Sequence, residues 1–149
     1  MEVSDPITSV LANKSAKICT INPEATVFNA IEKMSECNVG ALPVINNGEL
    51  IGIISERDYT RNVILKGKSS HDIDVRSIMT SSLVTISESD SVAHSLQTMT
   101  QKRVRHLPVM DNGELVGIVT IGDLVKWTIS AQDALIVQLE GYIQGAYPG

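Results

Sequence analysis

Aromatic residues are scarce in this 149-residue chain: one Phe, one Trp and three Tyr, 3% in all. Any core must therefore come from aliphatic side chains, and apolar residues of every type reach 43%. Cysteine is also rare. Cys19 and Cys37 are too few for a disulfide framework. The pattern puts Cys37 on the apolar face of a helix and Cys19 in a strand, so both read as reduced core thiols of a cytosolic protein. No apolar run approaches the ~20 residues of a membrane span. The N-terminal MEVSDPITSV lacks the charged and apolar regions of a signal peptide. Basic residues are dispersed and the net charge is −5, which argues against nucleic acid or an anionic membrane as partner. No G-x-S-x-G, P-loop or G-x-G-x-x-G occurs. His71, His94 and His106 lack metal-site spacing. The expectation is a cytoplasmic protein that is not an enzyme and has no metal.

The length suits one compact domain able to bury about 68–70% of its unfolded surface. Asp5-Pro6 can start a short helix, with Pro at its first position and Val10 and Leu11 docking it. Lys17 to Ile21 reads as a short strand. Thr26 can cap a helix in which Val27, Ala30, Ile31, Met34 and Cys37 recur at helical spacing. Leu42 to Ile45 and Leu50 to Ile54, joined through Asn47-Gly48, form a hairpin. Pro43 cannot donate to a ladder and keeps its strand at an edge. Ser55-Glu56-Arg57-Asp58 opens a helix to about Leu65, and the polar residues 66–74 read as a connector.

The pattern then repeats. A shift of 65 positions takes Met34 to Met99, Leu42-Pro43-Val44 to Leu107-Pro108-Val109, Asn47-Gly48-Glu49-Leu50 to Asn112-Gly113-Glu114-Leu115, and Asp58 to Asp123. Between Lys17 and Asp58, 15 of 42 positions are identical without a gap. Such an offset implies a duplicated β-α-β-β-α unit. One unit is too small to bury its own sheet face, so two copies are expected to pack together around a pseudo-two-fold axis, with clefts where they meet. Leu124 to Ile143 reads as one long helix, or two broken near Ser130. Its wide apolar face suits self-association or packing on its own domain.

These motifs resemble a tandem CBS-domain pair, or Bateman module. The residues that carry the likeness are Asn38 to Val44 with Gly52-Ile53-Ile54-Ser55-Glu56-Arg57-Asp58, and Arg103 to Val109 with Gly117-Ile118-Val119-Thr120-Ile121-Gly122-Asp123. The likeness is greatest to small stand-alone CBS-pair proteins. It implies an α/β (α+β) fold of two CBS repeats packed sheet to sheet plus a C-terminal helix. The repeats would span 7–65 and 75–130, with a linker over 66–74 and a C-terminal helix and tail over 131–149. It also implies adenosine-nucleotide binding and a regulatory role.

Hydroxyl-x-x-acid at a helix start is in the first place a capping box. It recurs here, however, after Gly-Ile-(Ile/Val) in both copies. A carboxylate can grip two ribose hydroxyls, and a helix N-terminus suits phosphate. The resemblance assigns Asp123 and Asp58 to ribose, and Thr120 and Ser55 to ribose and phosphate. It assigns Arg105 and His106 to phosphate. Gly40 and Ala41 stand in their place in the first copy, where Arg57 can supply charge, so the two clefts are expected to be unequal. The base of a nucleotide at Asp123 would lie against Val39, Gly40 and Ala41 and near Lys17 and Cys19. A nucleotide at Asp58 would lie near Val84 and Val104 to His106. The expected ligand is AMP, ADP, ATP or NAD(H), bound by a homodimer that signals to an unidentified protein. A pure interaction module and redox regulation through Cys19 or Cys37 are the rival readings.

Overall fold

The computed structural model describes residues 1–14 and 17–143. The expected tail over 144–149 lies outside the described residues. The fold is α+β. Helix α1 (Ile7–Asn13) leads to α2 (Val27–Cys37), then to the antiparallel strands β1 (Ala41–Asn46) and β2 (Glu49–Ser55). A short helix α3 (Glu56–Tyr59) continues into a π-helical turn over Thr60–Ile64. After α4 (Val75–Ile78) comes β3 (Ile86–Ser87), then α5 (Val92–Lys102), β4 (His106–Asp111), β5 (Glu114–Thr120) and α6 (Ile121–Ile143). Strands β3, β4 and β5 form one sheet in that order, and β1 and β2 form another.

Two compact units result, and neither follows chain order. The described residues 17–84 and 112–115 make one; 1–14, 85–111 and 116–143 make the other. Main-chain bonds explain the grouping. In the first-repeat unit Val27 N donates to Ile73 O at 2.8 Å, and Val75 N donates to Ala25 O at 2.9 Å. In the second-repeat unit Val92 N donates to Asp5 O at 2.9 Å, and Ile7 N to Asp90 O at 2.8 Å. A helix start leaves N–H groups without partners. Here a segment remote in sequence satisfies them. Residues 66–74 therefore do more than connect, because Ile73 and Asp74 finish the entry to α2.

Both cores follow the repeat. Val27, Met34, Leu42, Val44 and Ile54 are buried in one unit, and Val92, Met99, Leu107, Val109 and Val119 in the other. Ser95 stands where the first copy has Ala30. It is fully buried, and its hydroxyl donates to Ser91 O at 2.9 Å, so burial leaves no polar group unmet. Asn38 and Arg103 end α2 and α5 in the left-handed conformation, each at φ 55. Thr26 and Ser91 cap the starts of these helices through the N–H groups of Asn29 and His94.

Several sequence expectations need correction. Lys17 to Ile21 is not a strand. Only Ile21 pairs, in one parallel bridge to Val44. Pro6 caps α1 and is not its first residue, because its ψ of 154° is extended. The helix from Ser55 does not run regularly to Leu65, since it widens into the π turn, where Leu65 N reaches back to Thr60 O at 3.1 Å. The last helix is continuous through Ser130.

Candidate functional site

The motif glycines are explained by what crosses them. A Cβ on Gly52 would come within 2.7 Å of Met79 Sδ and 3.0 Å of Thr80 O. One on Gly117 would come within 2.7 Å of a Leu11 methyl. In each unit the segment that finishes the helix entry then passes over the second hairpin strand, most tightly at Gly52, where a main-chain carbonyl is met.

The hydroxyl-acid pairs at the strand ends are reciprocal caps in both units. Asp123 N donates to Thr120 Oγ1 at 3.0 Å, and Thr120 N donates to Asp123 Oδ2 at 2.9 Å. Asp58 N donates to Ser55 Oγ at 3.2 Å, while Asp58 Oδ2 accepts from Ser55 N at 2.9 Å and Ser55 Oγ at 3.1 Å. Such caps stabilise a helix start by about 1 kcal/mol. In each case only Oδ2 is used. Among the described residues, Oδ1 of either aspartate accepts no hydrogen bond.

The two sites differ in their cations. Lys14 Nζ lies 2.7 Å from Asp123 Oδ2 and also donates to Ile118 O at 3.0 Å. Among the described residues Asp58 has no ion pair. Lys14 is a candidate site residue that the sequence reading missed. It belongs to the N-terminal segment, which the repeat at 65 positions does not cover.

Arg105 is exposed, and its carbonyl accepts from Ile121 N at 2.9 Å, which fixes it beside Thr120 and Asp123. His106 opens β4 and is half-buried. A cavity of about 270 Å³ adjoins Asp123 and Lys14, with Asn13, Lys126 and Trp127 on its walls. In the first-repeat unit Gly40 O accepts from Glu56 N at 3.1 Å, so Gly40 stands beside Ser55 and Asp58 in the same way. Val39 and Gly40 are half-buried, whereas Ala41 is buried in its own unit's core. Arg57 and Lys17 are exposed, and Cys19 is half-buried. A second cavity of about 570 Å³ lies between the C-terminal end of α2, Asn38 to Gly40, and Glu56, Tyr59 and Thr60.

Cys19 and Cys37 are joined in a disulfide, with Cα atoms 6.7 Å apart. The expectation of two reduced thiols is overturned. The Lys33 ammonium, donating to Thr20 O, holds the segment after Cys19 alongside α2, and Cys37 is the last residue of that helix. Among the described residues, no helix is long and apolar enough to cross a membrane, and no group of three or more His, Cys, Asp or Glu side chains is placed to hold a metal.

Comparison with known proteins agrees with the internal repeat. The family model of the CBS domain matches residues 6–64 and again 75–130. The mitochondrial CBS domain-containing protein CBSX3 of Arabidopsis thaliana is 41% identical over 127 residues, which are 82% of this chain and 62% of that protein. The chain thus spans less than two thirds of this relative. The CBS domain-containing protein YhcV of Bacillus subtilis is 32% identical over 128 residues, covering 86% and 91% of the two chains. A CBS-domain protein of Burkholderia ambifaria has a similar solved structure. Its TM-score is 0.82 at 38% identity, over 86% of this chain and 96% of that one.

Proposed function

Because the chain belongs to the CBS-domain family, with two copies in tandem, we propose that it is a regulatory protein that binds an adenosine nucleotide. The observation that carries this is the half-used carboxylate of Asp123. Oδ2 is committed to the helix cap and to Lys14, while Oδ1 is left to accept from the vicinal hydroxyls of a ribose. At the same helix start stand the cation of Lys14 and the exposed residue Arg105, whose carbonyl accepts from Ile121 N. Charge-assisted bonds from such groups suit a phosphate.

Asp58, with Ser55 and Arg57, is proposed as the weaker second site, because among the described residues it has no ion-paired lysine. Val39, Gly40, Ala41, Lys17 and Cys19 are proposed for the base, chiefly through main-chain groups. Thr120 and His106 complete the phosphate end. AMP is the first candidate, with ADP, ATP and NAD(H) as relatives sharing its adenosine. Binding shifts the protein between conformations by its differential affinity for them. A homodimer then presents the change to a regulated partner. No chemistry is performed on the nucleotide.

Native mass spectrometry of the purified protein, followed by thermal shift with AMP, ADP, ATP and NAD(H), tests this. A ligand at 100 times its Kd stabilises the fold by about 2.7 kcal/mol. A co-purified nucleotide or a clear shift is expected, and no response to any adenosine compound would reject the reading. A second reading, an interaction module without ligand, is favoured by the apolar residues that α6 exposes, among them Ile121, Val125 and Ile129.

A further inference from the structure

We propose that Cys19–Cys37 is a thiol–disulfide exchange site whose redox state sets the loop 38–40 and, through it, the Asp58 end of α3. The two repeats differ at this segment. In the second-repeat unit the strand Ile86–Ser87 pairs with Val109 and Met110 of β4. In the first-repeat unit the corresponding ladder has shrunk to the bridge between Ile21 and Val44. Among the described residues, Lys17 to Thr20, like their counterparts Ser82 to Thr85, make no hydrogen bond between main-chain groups, so the first-repeat ladder is shorter by the one pair that Ser87 adds in the second. The disulfide adds a covalent tie to the end of α2 where the ladder is one pair shorter. The second repeat has Val84 and Lys102 at the corresponding positions and so carries no cross-link there.

The cross-link leads toward the start of α3. Cys37 ends α2. Asn38 follows in the left-handed conformation, and its N–H turns back to Met34 O and Ser35 O. Val39 N donates to Met34 O at 3.0 Å, and Gly40 O accepts from Glu56 N at 3.1 Å. The next contacts are the caps between Ser55 and Asp58. Three residues thus separate the sulfur from the hydrogen bond that positions the Asp58 helix. The same residues, Asn38 to Gly40, wall the 570 Å³ cavity.

Both cysteines are half-buried, so a small dithiol can reach them. Its thiolate attacks one sulfur and forms a mixed disulfide, expelling the other cysteine as thiolate. The second thiol of the reductant then closes its own disulfide and releases the first cysteine. Two electrons and two protons pass from the dithiol to Cys19 and Cys37. An oxidised dithiol of higher potential reverses the step. On reduction, residues 17–20 lose their covalent tie to α2 and keep the Lys33 contact to Thr20 O, and the end of α2 with loop 38–40 loosens.

The loop response stands alone, while its effect on ligand affinity rests on the nucleotide reading above. The test uses the full chain, oxidised and after dithiothreitol, beside the double variant Cys19→Ser, Cys37→Ser. Alkylation with mass detection should find no thiol before reduction and both after it. Amide hydrogen exchange at Asn38, Val39 and Glu56 should be at least about tenfold faster in the reduced protein. The double variant should show that faster rate with or without dithiothreitol. The counterparts Arg103, Val104 and Ile121 should not change. Equal exchange at Asn38, Val39 and Glu56 in both states, or two free thiols after treatment with an oxidised dithiol, would overturn the proposal. AMP binding measured on both states separates the readings. Affinity that differs between them extends the switch to the ligand. No binding in either state rejects the nucleotide reading and leaves the exchange result to decide the switch.

Discussion

Lys14 Nζ stands 2.7 Å from Asp123 Oδ2, and the same ammonium donates to Ile118 O at 3.0 Å. The corresponding carbonyl in the other unit, Ile53 O, accepts instead from the main-chain N–H of Thr80 at 2.8 Å. One unit therefore closes this strand with backbone, and the other with a lysine ammonium beside a carboxylate.

The position of Lys14 predicts discrimination by charge. An ammonium at this helix start favours an anionic ligand over a neutral one. Lys14→Gln should weaken AMP about 5- to 20-fold and leave adenosine nearly unchanged, a loss of about 1–1.8 kcal/mol. The fold itself should lose less than ~1 kcal/mol, because the pair is about a quarter exposed on both sides, at 26% and 24%. Titration calorimetry with both ligands checks it. Equal losses for AMP and adenosine would place Lys14 in the fold and not at a phosphate.

The sequence disclosed the parts of this arrangement that repeat and hid the parts that do not. Alternating apolar runs around Asn47-Gly48 and Asn112-Gly113 mark both hairpins, and both asparagines take positive φ as the turn requires. The helical spacing of Val27, Ala30 and Met34 marks the buried face of α2. The N-terminal segment escaped because its equivalence to the linker runs three positions off the repeat. Asp5 answers to Ile73 and Ile7 to Val75, and at that offset Ser9 with Ser77 is an isolated identity. Lys14 went unnoticed with it. The disulfide was hidden because a separation of 18 residues says nothing about pairing until α2 has turned Cys37 toward Cys19. The π turn at Thr60–Ile64 follows no residue pattern that we can identify.

Asp123 serves a cap and, on our reading, a ribose, and two substitutions separate these roles. Asp123→Ala removes both, so stability should fall by about 1 kcal/mol and AMP affinity about 10- to 150-fold. Asp123→Asn retains an oxygen able to accept from Thr120 N, and should keep most of the stability while still losing affinity. Chemical denaturation alongside calorimetry reads the two effects. Unaltered AMP binding in Asp123→Asn would remove the carboxylate from the ligand site.

The two motif glycines should respond unequally to the same methyl group. On Gly52 the new Cβ meets the Thr80 carbonyl at 3.0 Å as well as Met79, and that carbonyl is tied to Ile53 N. On Gly117 it meets only the Leu11 side chain, which can rotate away. Gly52→Ala should therefore cost about 1–3 kcal/mol, and Gly117→Ala distinctly less. Urea melts of both variants provide the comparison. A larger loss at Gly117 would mean that α1 is held more rigidly than α4.

The apolar residues on α6 carry the prediction about assembly. Ile121, Val125 and Ile129 recur every fourth position and are 42%, 43% and 52% exposed. Leu135, Ile136 and Leu139 extend the exposed apolar surface, each more than half exposed. Burying one such side chain fully is worth about 1.5–3 kcal/mol, so a few of them meeting across a symmetric interface supply enough to join two copies. Sedimentation velocity should find a dimer at concentrations on the order of 10 μM, where an association free energy near 7 kcal/mol is already sufficient. Val125→Glu with Ile129→Glu places charges on that face at solvent-exposed positions, so the fold should persist while the dimer dissociates. Retention of the dimer in this variant would move the interface off α6, and a wild-type monomer at this concentration would remove it altogether.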